Sequence, residues 1–292
     1  MRKFFVTPFL IEGSDVAGAL YSDTLQIELA SLRNSQSAAF RHRDPAYLFP
    51  KEVRDAVNLN KDFLFLGHNF TQYGHFILET LPMLTALLES KDVSGFFLPW
   101  GSRDDLLYSS LALLDIDSSR VYVHREKSVV TSRFRIIDRP IVINNSLVSM
   151  SSYYPVVARL KEKAVHSSKS RLPKKIFLDR KPDRVSIEIY ERVASFFVKN
   201  GFTRIRPEQY SLLEQVRIFS LANDVASFPG SQLHNTIFSS SYCRVIEVGD
   251  TRSPMKSLEN QVICDLISGV KKIFVPYAKD SDDLLSSIFR IL

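Results

Sequence analysis

The C-terminal part of the chain alternates regularly between short apolar runs and longer amphipathic stretches, and this alternation restricts the possible folds more than any other feature. The apolar runs resemble β-strands and lie at residues 176–179, 203–206, 224–228, 244–248 and 272–276. The amphipathic stretches have a helical pattern and lie near residues 186–200, 211–221, 232–239, 257–269 and 281–290. Strands separated by helices of this length form βαβ crossovers, which produce a parallel sheet covered on both faces. We therefore predict a Rossmann-like fold for this part of the chain.

The N-terminal part shows a similar but less regular alternation. Strand-like runs lie at residues 3–6, 62–66, 94–98, 120–124 and 134–143, and helical patterns lie at residues 72–90, 103–114 and 153–166. Residues 167–173 are polar and end in proline, which is typical of a linker. We predict an α/β chain with an N-terminal domain, residues 1–166, and a C-terminal domain, residues 167–292.

The net charge of the chain limits the classes of partner that it is expected to bind. A formal net charge of +6 and a pI near 9.2 indicate anionic partners, which include a nucleotide diphosphate, an acidic lipid surface and a nucleic acid. Ten basic residues against three acids lie between Arg159 and Arg184, although a solvated basic linker has the same composition. Nucleic acid is the least favoured partner, because the Phe and Tyr residues fall mostly within apolar runs and are not interleaved with basic residues.

The sequence shows no recognisable signal segment or membrane span and has only two cysteines, and these features predict a cytoplasmic protein. No run approaches the roughly 18 uninterrupted apolar residues of a membrane span, and the apolar residues 4–11 contain Pro8 and are followed closely by Glu12 and Asp15. Cys243 and Cys264 lie in apolar runs without zinc-type spacing, which predicts two buried thiols in a reducing compartment. We expect a soluble, unprocessed chain.

A histidine and a glutamate share one side of the helical pattern at residues 72–90. At about 100° per residue, four apolar residues form the opposite stripe: Ile77, Leu81, Leu84 and Leu88. His75 and Glu79 are four residues apart, so the carboxylate can orient the imidazole as a partner orients a general base. A solvent-facing pair on an amphipathic helix has the same spacing, and both interpretations stay open. Pro82 predicts a kink, or a new helix start with Thr80 as its cap.

Two arginines follow the first strand-like run of the C-terminal part. Arg180 and Arg184 precede a helical stretch, at the sheet edge where open α/β folds bind their ligands. Their guanidinium groups can clamp a diphosphate through charge-assisted hydrogen bonds. Asp179 and Asp183 can instead neutralise them, and the sequence alone favours neither interpretation.

A glycine turn and a strand-end glutamate lie further along. Gly230 and Ser231 stand between a strand and a helix, where free amides and the helix dipole favour an anion, although an ordinary tight turn also uses glycine. His234 and Asn235 fall in the first turn of that helix, close enough to contact a bound group; a lone histidine is equally compatible with a structural role. Glu247 ends the next strand-like run and can accept hydrogen bonds from ribose hydroxyl groups.

Motifs of several other enzyme classes are absent from the sequence. It contains no Walker loop, no Gly-X-Gly-X-X-Gly fingerprint and no Gly-X-Ser-X-Gly elbow, which disfavours kinases, dehydrogenases and hydrolases. Asp115 and Asp117 have a spacing that can hold a divalent ion, but their context is that of a helix end and a turn. We expect no metal site.

A set of segments occurs in a characteristic order: residues 73–82, 179–188, 201–202, 207–208, 214–222, 230–238 and 246–247. They include His75 and Glu79, then Arg180 and Arg184, and their order and spacing resemble those of glycosyltransferase family 61, formerly an uncharacterised domain family. The resemblance covers about residues 62–250 and is to members from bacterial polysaccharide clusters in particular. The chain departs from the family pattern at Ile187 and at His234, where the family usually has Asn and a small residue or threonine.

This resemblance implies a fold and a reaction. The expected fold is α/β and GT-B-like, with two Rossmann-like domains and a cleft between them. Residues 1–166 would form the acceptor-side domain and residues 167–292 the nucleotide-sugar-binding domain. The expected reaction is an inverting transfer of a sugar from a nucleotide-sugar, UDP-linked in our expectation, to a saccharide acceptor that can be lipid-linked. The expected pathway is the synthesis of a surface polysaccharide such as capsule or lipopolysaccharide. No cofactor is expected beyond the donor.

The same resemblance assigns roles to the candidate residues. His75, oriented by Glu79, is expected to be the catalytic base, with Glu79 itself as the second choice. The donor site is expected to contain the remaining candidates: Arg180, Arg184, Gly230, Ser231, His234, Asn235 and Glu247. Arginines and amides would stabilise the departing diphosphate, so that a metal ion is not needed.

Two alternatives and one further partner follow from the same features. A catalytically inactive family member could serve as a scaffold in polysaccharide assembly, and a nucleic-acid-binding protein is the more remote alternative. The basic exterior suits peripheral contact with an anionic membrane at its inner face. We therefore expect a cytoplasmic protein that approaches the membrane surface.

Overall fold

The computed structural model describes residues 1–7, 10–12, 15–17, 19–24, 26, 28, 53–101, 104–126, 128–137, 141–142, 147–166, 171–180 and 183–292. The chain forms two compact units, Met1–Val156 and Val157–Leu292. Part of the predicted linker, residues 167–170, lies outside the described residues. The predicted domain boundary at residue 166, with its acceptor-side and donor-binding assignments, stays a prediction.

The first unit is built on a mixed β-sheet. Its described strands are β1 (Arg2–Val6), β2 (Leu10–Glu12), β3 (Asp15–Ala17), β4 (Leu20–Ser22), β5 (Val57–Phe70), β6 (Ser94–Trp100), β7 (Val121–Val123), β8 (Val130–Ile136), β9 (Ile141–Val142) and β10 (Leu147–Val148). A six-stranded sheet has the order β4-β1-β8-β5-β6-β7. The strands β8, β5, β6 and β7 are parallel, and β1 pairs antiparallel with β4 and β8. The predicted strand at residues 134–143 is wrong in its bounds, since β8 begins and ends earlier.

The helical segments of this unit lie after strands, as predicted, but the segment after β5 changes its helix type along its length. After β5 the chain passes through α1 (Tyr73–His75), a π-helical turn (Phe76–Thr80), a 3₁₀ segment (Leu81–Leu84) and α2 (Thr85–Glu89). Further along are α3 (Asp105–Leu113), 3₁₀ turns at Ser118–Arg120 and Met150–Ser152, and α4 (Tyr154–His166), which crosses the boundary between the units. The π-helical turn changes the rotation per residue, and Leu87 is buried while Leu88 is partly exposed. The expected stripe is therefore wrong at Leu88.

Thr80 joins the helical region to the strand before it. Its hydroxyl group donates to the carbonyl oxygen of His68 at 2.9 Å and accepts from the amide of Phe70 at 3.1 Å. A new helical segment begins after Thr80 as one of the two expectations had it, of 3₁₀ type and with Pro82 in its first turn, but the Thr80 side chain makes no capping hydrogen bond. The two bonds fix the helical region against the carboxyl end of β5.

Aromatic side chains fill the core of the first unit. Phe96 packs edge-on against Phe134 at 4.9 Å between ring centroids and against Phe63 at 5.5 Å. Aromatic pairs of this geometry contribute about 0.5–1.5 kcal/mol each beyond the area that they bury. The alternating pattern of β8, with exposed Arg133 and Arg135 beside buried Phe134, follows from the two-residue period of a strand.

His124 lies in this core directly after β7 and is fully buried. Its ring packs beside Tyr122 and Phe96, and neither ring nitrogen makes a hydrogen bond of normal geometry with the described residues. Burial lowers the pKa of His124 from its ordinary value of 6.5, and the Glu126 carboxylate and Ser128 backbone offset this only in part. The ring is therefore neutral in the folded protein at neutral pH.

We expect the free energy of unfolding to decrease as the pH falls from about 7 toward 5. The reason is that His124 in the unfolded chain takes up a proton near its ordinary value of 6.5, whereas the buried ring does so only at lower pH. One such group changes the free energy by at most about 1.4 kcal/mol per pH unit. Urea unfolding across this range should show a flatter dependence for His124→Phe than for the unaltered protein. His166→Phe, at an exposed histidine, is the control, and equal slopes for both variants would contradict the prediction.

The second unit contains the predicted parallel sheet. Its strands are β11 (Lys175–Leu178), β12 (Thr203–Ile205), β13 (Asp224–Ser227), β14 (Arg244–Val248) and β15 (Lys271–Val275), and its α-helices after α4 are α5 (Ile187–Lys199), α6 (Leu212–Leu221), α7 (Glu259–Ser268) and α8 (Ser281–Phe289). The sheet order is β12-β11-β13-β14-β15 with all pairs parallel. The prediction of an α/β chain with parallel strands is confirmed.

Local signals in the sequence set the ends of these helices. Ser186 accepts the amide of Ile189 at the start of α5, and Ser211 forms a capping box with Glu214 at the start of α6. The helix α7 ends at Gly269, whose φ of +69° lies in the left-handed region that glycine adopts without strain. The helix predicted at residues 232–239 is a 3₁₀ helix, Ser231–Phe238.

The two cysteines and the lengths of the helices bear on two of the expectations, buried thiols and the absence of a membrane span. Cys243 and Cys264 are buried free thiols, as predicted, and burial raises the pKa of Cys243 to about 11. Within the described part of the chain, the helices are too short or too polar to cross a membrane.

Candidate functional site

In the first unit the candidate base lies where β5 ends. His75 closes α1, and its Nδ1 is 2.7 Å from Oε1 of Glu79, within the π-helical turn. The side chains are 33% and 12% exposed, so the imidazole reaches the surface while the carboxylate is mostly covered. The sequence prediction that the two side chains meet is confirmed. A carboxylate at Nδ1 orients the ring.

An aromatic cluster surrounds this pair. Phe70, the last residue of β5, lies 5.5 Å from the ring of His75 and 5.3 Å from that of Trp100, the last residue of β6. Trp100 also packs edge-on against His68 at 5.2 Å. Trp100 is partly exposed, whereas Phe70 and His68 are buried. The carboxyl ends of two parallel strands thus present an indole beside the candidate base.

Three hydrogen-bonded polar side chains, Arg125, Asp104 and Asn69, lie at the same edge of the sheet. Arg125 donates to both carboxylate oxygens of Asp104, at 2.8 and 2.5 Å, and to the carbonyl oxygen of Gly101 at 2.9 Å. Asn69 donates to Asp104 at 2.5 Å. The hydrogen bonds to Asp104 raise the pKa of Arg125 above its ordinary value. This group ties the loop after β6 to β5 and limits the motion of the segment that carries Trp100.

In the second unit the candidate donor residues meet at the switch point of the sheet. The order β12-β11-β13-β14-β15 reverses direction between β11 and β13, and open sheets of this topology bind ligands at the carboxyl ends of those two strands. Arg180 follows β11, and its Nη1 donates to the carbonyl oxygen of Pro229, after β13, at 2.6 Å. The sequence placed Arg180 and the glycine turn at one edge, and the structure brings them into contact.

Gly230 makes this contact possible. Its backbone is extended, with φ of 166°, so it does not use the left-handed region. A Cβ at this position would overlap with Nη1 of Arg180 and with Oε1 of Gln232. A side chain at residue 230 would therefore displace the ends of these two flexible side chains from their present positions, and Ser231 beside Gly230 is exposed.

Of the two acidic residues that could neutralise Arg180 and Arg184, Asp183 pairs with them. Asp183 accepts from Nη2 of Arg180 at 2.6 Å and lies 3.9 Å from Nε of Arg184. Asp183 is half exposed, so this pairing is screened by water. Among the described residues, one carboxylate is thus shared by two guanidinium groups.

Asp179 does not pair with either candidate arginine. It accepts hydrogen bonds from Tyr190 and Arg204 at 2.7 Å and from Arg206 at 3.0 Å. Burial disfavours its charge, but these three hydrogen bonds outweigh burial and lower the pKa of Asp179 below its ordinary value. The Tyr190 hydroxyl also accepts the backbone amide of Arg180 at 2.7 Å, so Asp179 supports the segment that carries Arg180.

His234 and Asn235 lie in the 3₁₀ helix that follows the glycine turn. Asn235 is fully buried, and its amide donates to Oε1 of Gln215 at 3.0 Å and to the carbonyl oxygen of Gln232 at 3.1 Å. His234 is 9% exposed. The Asn235 side chain holds the helix in place, and direct contacts of either residue with a donor stay predictions.

Glu247 is fully buried at the carboxyl end of β14. Its Oε2 accepts from Ser257 at 2.5 Å and pairs with Nζ of Lys272 at 2.7 Å, while Lys272 also pairs with Asp265 at 2.7 Å. Oε1 of Glu247 makes no hydrogen bond with the described residues. One oxygen of this enclosed carboxylate is therefore left without a donor among the described residues, which is uncommon for a buried polar group.

Asp115 and Asp117 form a turn. Asp115 has φ of +56°, and Asp117 accepts the amide of Ser119 at 2.9 Å to cap a 3₁₀ turn, as the turn interpretation predicted. Across the described residues, no three His, Cys, Asp or Glu side chains group in a way that could hold a metal ion.

Sequence reasoning missed several residues of these two edges. Trp100 ends an apolar run and precedes Gly101, which is the same strand-then-turn signal that selected Arg180 and Gly230. Lys272 carried no such signal, because it lies inside a strand and reaches Glu247 across the sheet. Arg125 was missed for the related reason that its partner is 21 residues away.

One comparison with known proteins gives a match to this chain. The sequence model of the family described as Glycosyltransferase 61 matches residues 73–246, which is more than half of the chain. The match begins two residues before His75 and ends one residue before Glu247. No match was found among curated proteins.

Proposed function

Because the chain belongs to glycosyltransferase family 61, we propose that it is an inverting glycosyltransferase that moves a sugar from a nucleotide-sugar to a saccharide acceptor. The donor would bind to the second unit and the acceptor to the first, in a GT-B arrangement. The observation that carries this proposal is the contact of Arg180 with the Pro229-Gly230 turn at the switch point of a parallel sheet. That contact fixes a guanidinium group where folds of this kind bind phosphates.

The donor site would consist of groups with distinct tasks. Arg180 and Arg184, with the amides at Gly230 and Ser231, would bind the diphosphate and stabilise its charge as it departs. Oε1 of Glu247 would accept a ribose hydroxyl. His234 and Asn235 would line the same pocket behind the glycine turn. Since two arginines already supply positive charge, we propose that the diphosphate needs no metal ion.

The transfer would be a single displacement at the anomeric carbon. The acceptor oxygen forms a bond to this carbon on one face while the bond to the phosphate oxygen breaks on the other, so the configuration inverts. The acceptor proton moves to His75, and the diphosphate leaves with the bonding electrons. Because Glu79 engages Nδ1 of His75, the proton would be taken at Nε2. The carboxylate would then stabilise the imidazolium ion that forms.

The pathway and the location extend this proposal. We propose a UDP-linked donor and an acceptor from the synthesis of a surface polysaccharide, such as capsule or lipopolysaccharide, in which the acceptor is lipid-linked. The resemblance to members from bacterial polysaccharide clusters supports this pathway. A net charge of +6 would favour contact of a cytoplasmic protein with the anionic inner face of a membrane.

A thermal-shift screen over nucleotide-sugars and nucleoside diphosphates, with and without EDTA, tests the proposal. A ligand at about 100 times its Kd adds about 2.7 kcal/mol to the free energy of unfolding. We expect one nucleotide class, UDP in our proposal, to raise Tm equally with and without EDTA. A shift that requires a divalent ion would contradict metal independence, and no shift with any of these ligands would contradict donor binding.

Transfer itself is tested by incubating the unaltered chain with the donor identified in the screen and a panel of saccharide and glycolipid acceptors. Formation of a glycoside with inverted anomeric configuration supports the proposal. Diphosphate binding without transfer to any acceptor would instead favour the inactive scaffold. Salt-sensitive RNA or DNA binding that nucleotide-sugars do not displace would favour the nucleic-acid alternative.

A further inference from the structure

The loop after β14 brings a further arginine to the switch-point edge of the second unit. Arg252 lies four residues beyond the end of β14, in a loop that the family match does not include. Parallel strands end at the same edge, so this loop lies on the side of the sheet that carries Arg180 and Gly230. Arg252 was not among the donor-site residues predicted from the sequence.

The turn that carries Arg252 is firmly held. Oδ1 of Asp250, which is 2% exposed, accepts the amides of Arg252 and Ser253 at 2.9 and 2.8 Å and the Ser253 hydroxyl at 3.1 Å. A Cβ on Gly249 would lie 2.9 Å from the carbonyl oxygen of Ser253 and from the amide of Tyr277, which leaves room only for glycine. The side chain of Arg252 therefore extends from a fixed backbone.

A second contact ties this turn to the arginine segment. Thr251 donates from Oγ1 and from its amide to the carbonyl oxygen of Arg184, at 2.9 and 3.3 Å. The backbone of residue 251 is thus joined to that of residue 184, and the neighbouring Arg252 lies beside Arg184. The Arg180 side chain, which is bonded to Pro229, is also close enough for its charge to act on Arg252.

Among the described residues here, three arginines (Arg180, Arg184 and Arg252) and two carboxylates (Asp183 and Asp250) leave one positive charge in excess. Arg180 and Arg184 share Asp183, and the Asp250 oxygen is engaged by the turn. The exposed side chain of Arg252 makes no ion pair with the part of the chain that the structure describes. Partial shielding from water and then the charges of Arg184 and Arg180 lower the pKa of Arg252 from its ordinary value. The nearby carboxylates of Asp250 and Asp183 act in the opposite direction, and the excess positive charge would attract an anion.

We propose that Arg252 is a third arginine of the donor site and that it binds the diphosphate of the nucleotide-sugar together with Arg180 and Arg184. This inference rests on the proposed function, since it assigns one more residue to the same site. Arginine is suited to this task because its planar group donates two parallel hydrogen bonds to phosphate oxygens. Arg252 contributes affinity for the diphosphate and not for the base or the sugar.

Isothermal titration of the full chain with UDP, GDP, ADP, CDP and inorganic pyrophosphate tests this assignment. Arg252→Gln should weaken binding of the preferred nucleoside diphosphate about 10- to 100-fold, the effect of losing a charge-assisted hydrogen bond. Arg252→Lys should recover part of the affinity because it keeps the charge. Lys256→Ala, an exposed basic residue in the same loop, is the matched control and should leave the affinity unchanged.

Further readouts separate the possible outcomes. Affinity for the nucleoside monophosphate should change less in Arg252→Gln than affinity for the diphosphate. Without ligand, Arg252→Gln should be at least as stable as the unaltered chain, because it removes a like charge; this excludes loss of folding as the cause. Equal diphosphate affinity in Arg252→Gln and the unaltered chain would overturn the inference and leave the proposed function standing. If the unaltered chain binds none of these ligands, the proposed function fails and the inference fails with it.

Discussion

Replacing His75 with alanine is expected to reduce kcat for sugar transfer by about 10²- to 10⁴-fold, the usual contribution of a general base. Donor affinity should stay the same, because the donor contacts that we propose lie in the second unit. The acceptor hydroxyl group is a weak nucleophile until a base takes its proton, so loss of the imidazole acts on the chemical step. Steady-state kinetics and donor titration on the same preparation measure the two effects separately.

Glu79→Gln distinguishes the two candidates for the base. If Glu79 orients His75 through the 2.7 Å contact, the amide keeps the side-chain shape but loses the charge that stabilises the imidazolium ion. We then expect a smaller loss of kcat than in His75→Ala, and no further loss when the two changes are combined. A loss in Glu79→Gln that equals or exceeds that of His75→Ala would make Glu79 the base.

The chain offers a matched control for these variants. His166 is an exposed histidine in the last turn of α4, and its Nδ1 contacts the carbonyl oxygen of Glu162 at 2.8 Å. It is therefore another helical histidine with a partner four residues away. His166→Ala should leave kcat and KM unchanged. Near-normal turnover in His75→Ala, at the level of this control, would show that the assignment of the base is wrong.

Sequence reasoning located the second unit well because its strands are buried on both faces. The runs that became β11, β13 and β14 have apolar centres, are almost wholly buried and are separated by helical stretches, so their approximate positions and parallel orientation follow from elementary rules. Arg180 and Gly230 both follow such strands, and this was enough to place them at one edge. The register that puts a guanidinium group against Gly230 depends on packing and could not be derived.

Other features of the site depend on contacts between distant parts of the sequence. Pairing of Asp179 with Arg180 was one of two open interpretations, yet its partners Arg204 and Arg206 come from beyond α5, 25 and 27 residues along the chain. The hydroxyl of Thr80 was expected to cap a helix, but a strand carbonyl and amide were closer. Local propensity describes what a side chain can do, and tertiary packing decides which of its possible partners is within reach.

Replacing Asp179 with alanine is expected to lower the free energy of unfolding of the second unit by about 2–4 kcal/mol. Removing one partner of a buried ion pair costs about 3–5 kcal/mol, and we reduce this value because Arg204 and Arg206 are 31% and 53% exposed and stay partly solvated. Arg204 keeps Glu191 as a partner at 2.7 Å. Urea unfolding at pH 7 measures the loss.

The pH dependence of this loss has a definite sign. The pKa of Asp179 is lower in the folded state than its ordinary value of 3.8, so the unfolded chain binds the proton first as the pH falls. The stability that Asp179 contributes is therefore fully present above about pH 5 and decreases as the pH falls below 4. The difference between the unaltered protein and Asp179→Ala should be constant from pH 5 to 8 and should narrow at lower pH.

An exposed ion pair provides the control for this variant. Asp62 pairs with Arg133 at 2.7 Å in the first unit, with side chains 43% and 62% exposed, and such surface pairs contribute about 0–1 kcal/mol. Asp62→Ala should therefore leave the second unit unaffected. Equal, small losses for both variants would show that the Asp179 network is not a main source of stability.

The same variant links stability to the proposed donor site. The Tyr190 hydroxyl donates to Asp179 and accepts the amide of Arg180, so the carboxylate fixes the hydroxyl that orients the start of the arginine segment. Under conditions where Asp179→Ala is still folded, it should bind the diphosphate more weakly than the unaltered chain, although Asp179 would not contact the ligand. Tyr190→Phe, which removes only the hydroxyl, should weaken binding in the same direction with a smaller loss of stability. Unchanged diphosphate affinity in both variants would show that the position of Arg180 is set by the Pro229 carbonyl alone.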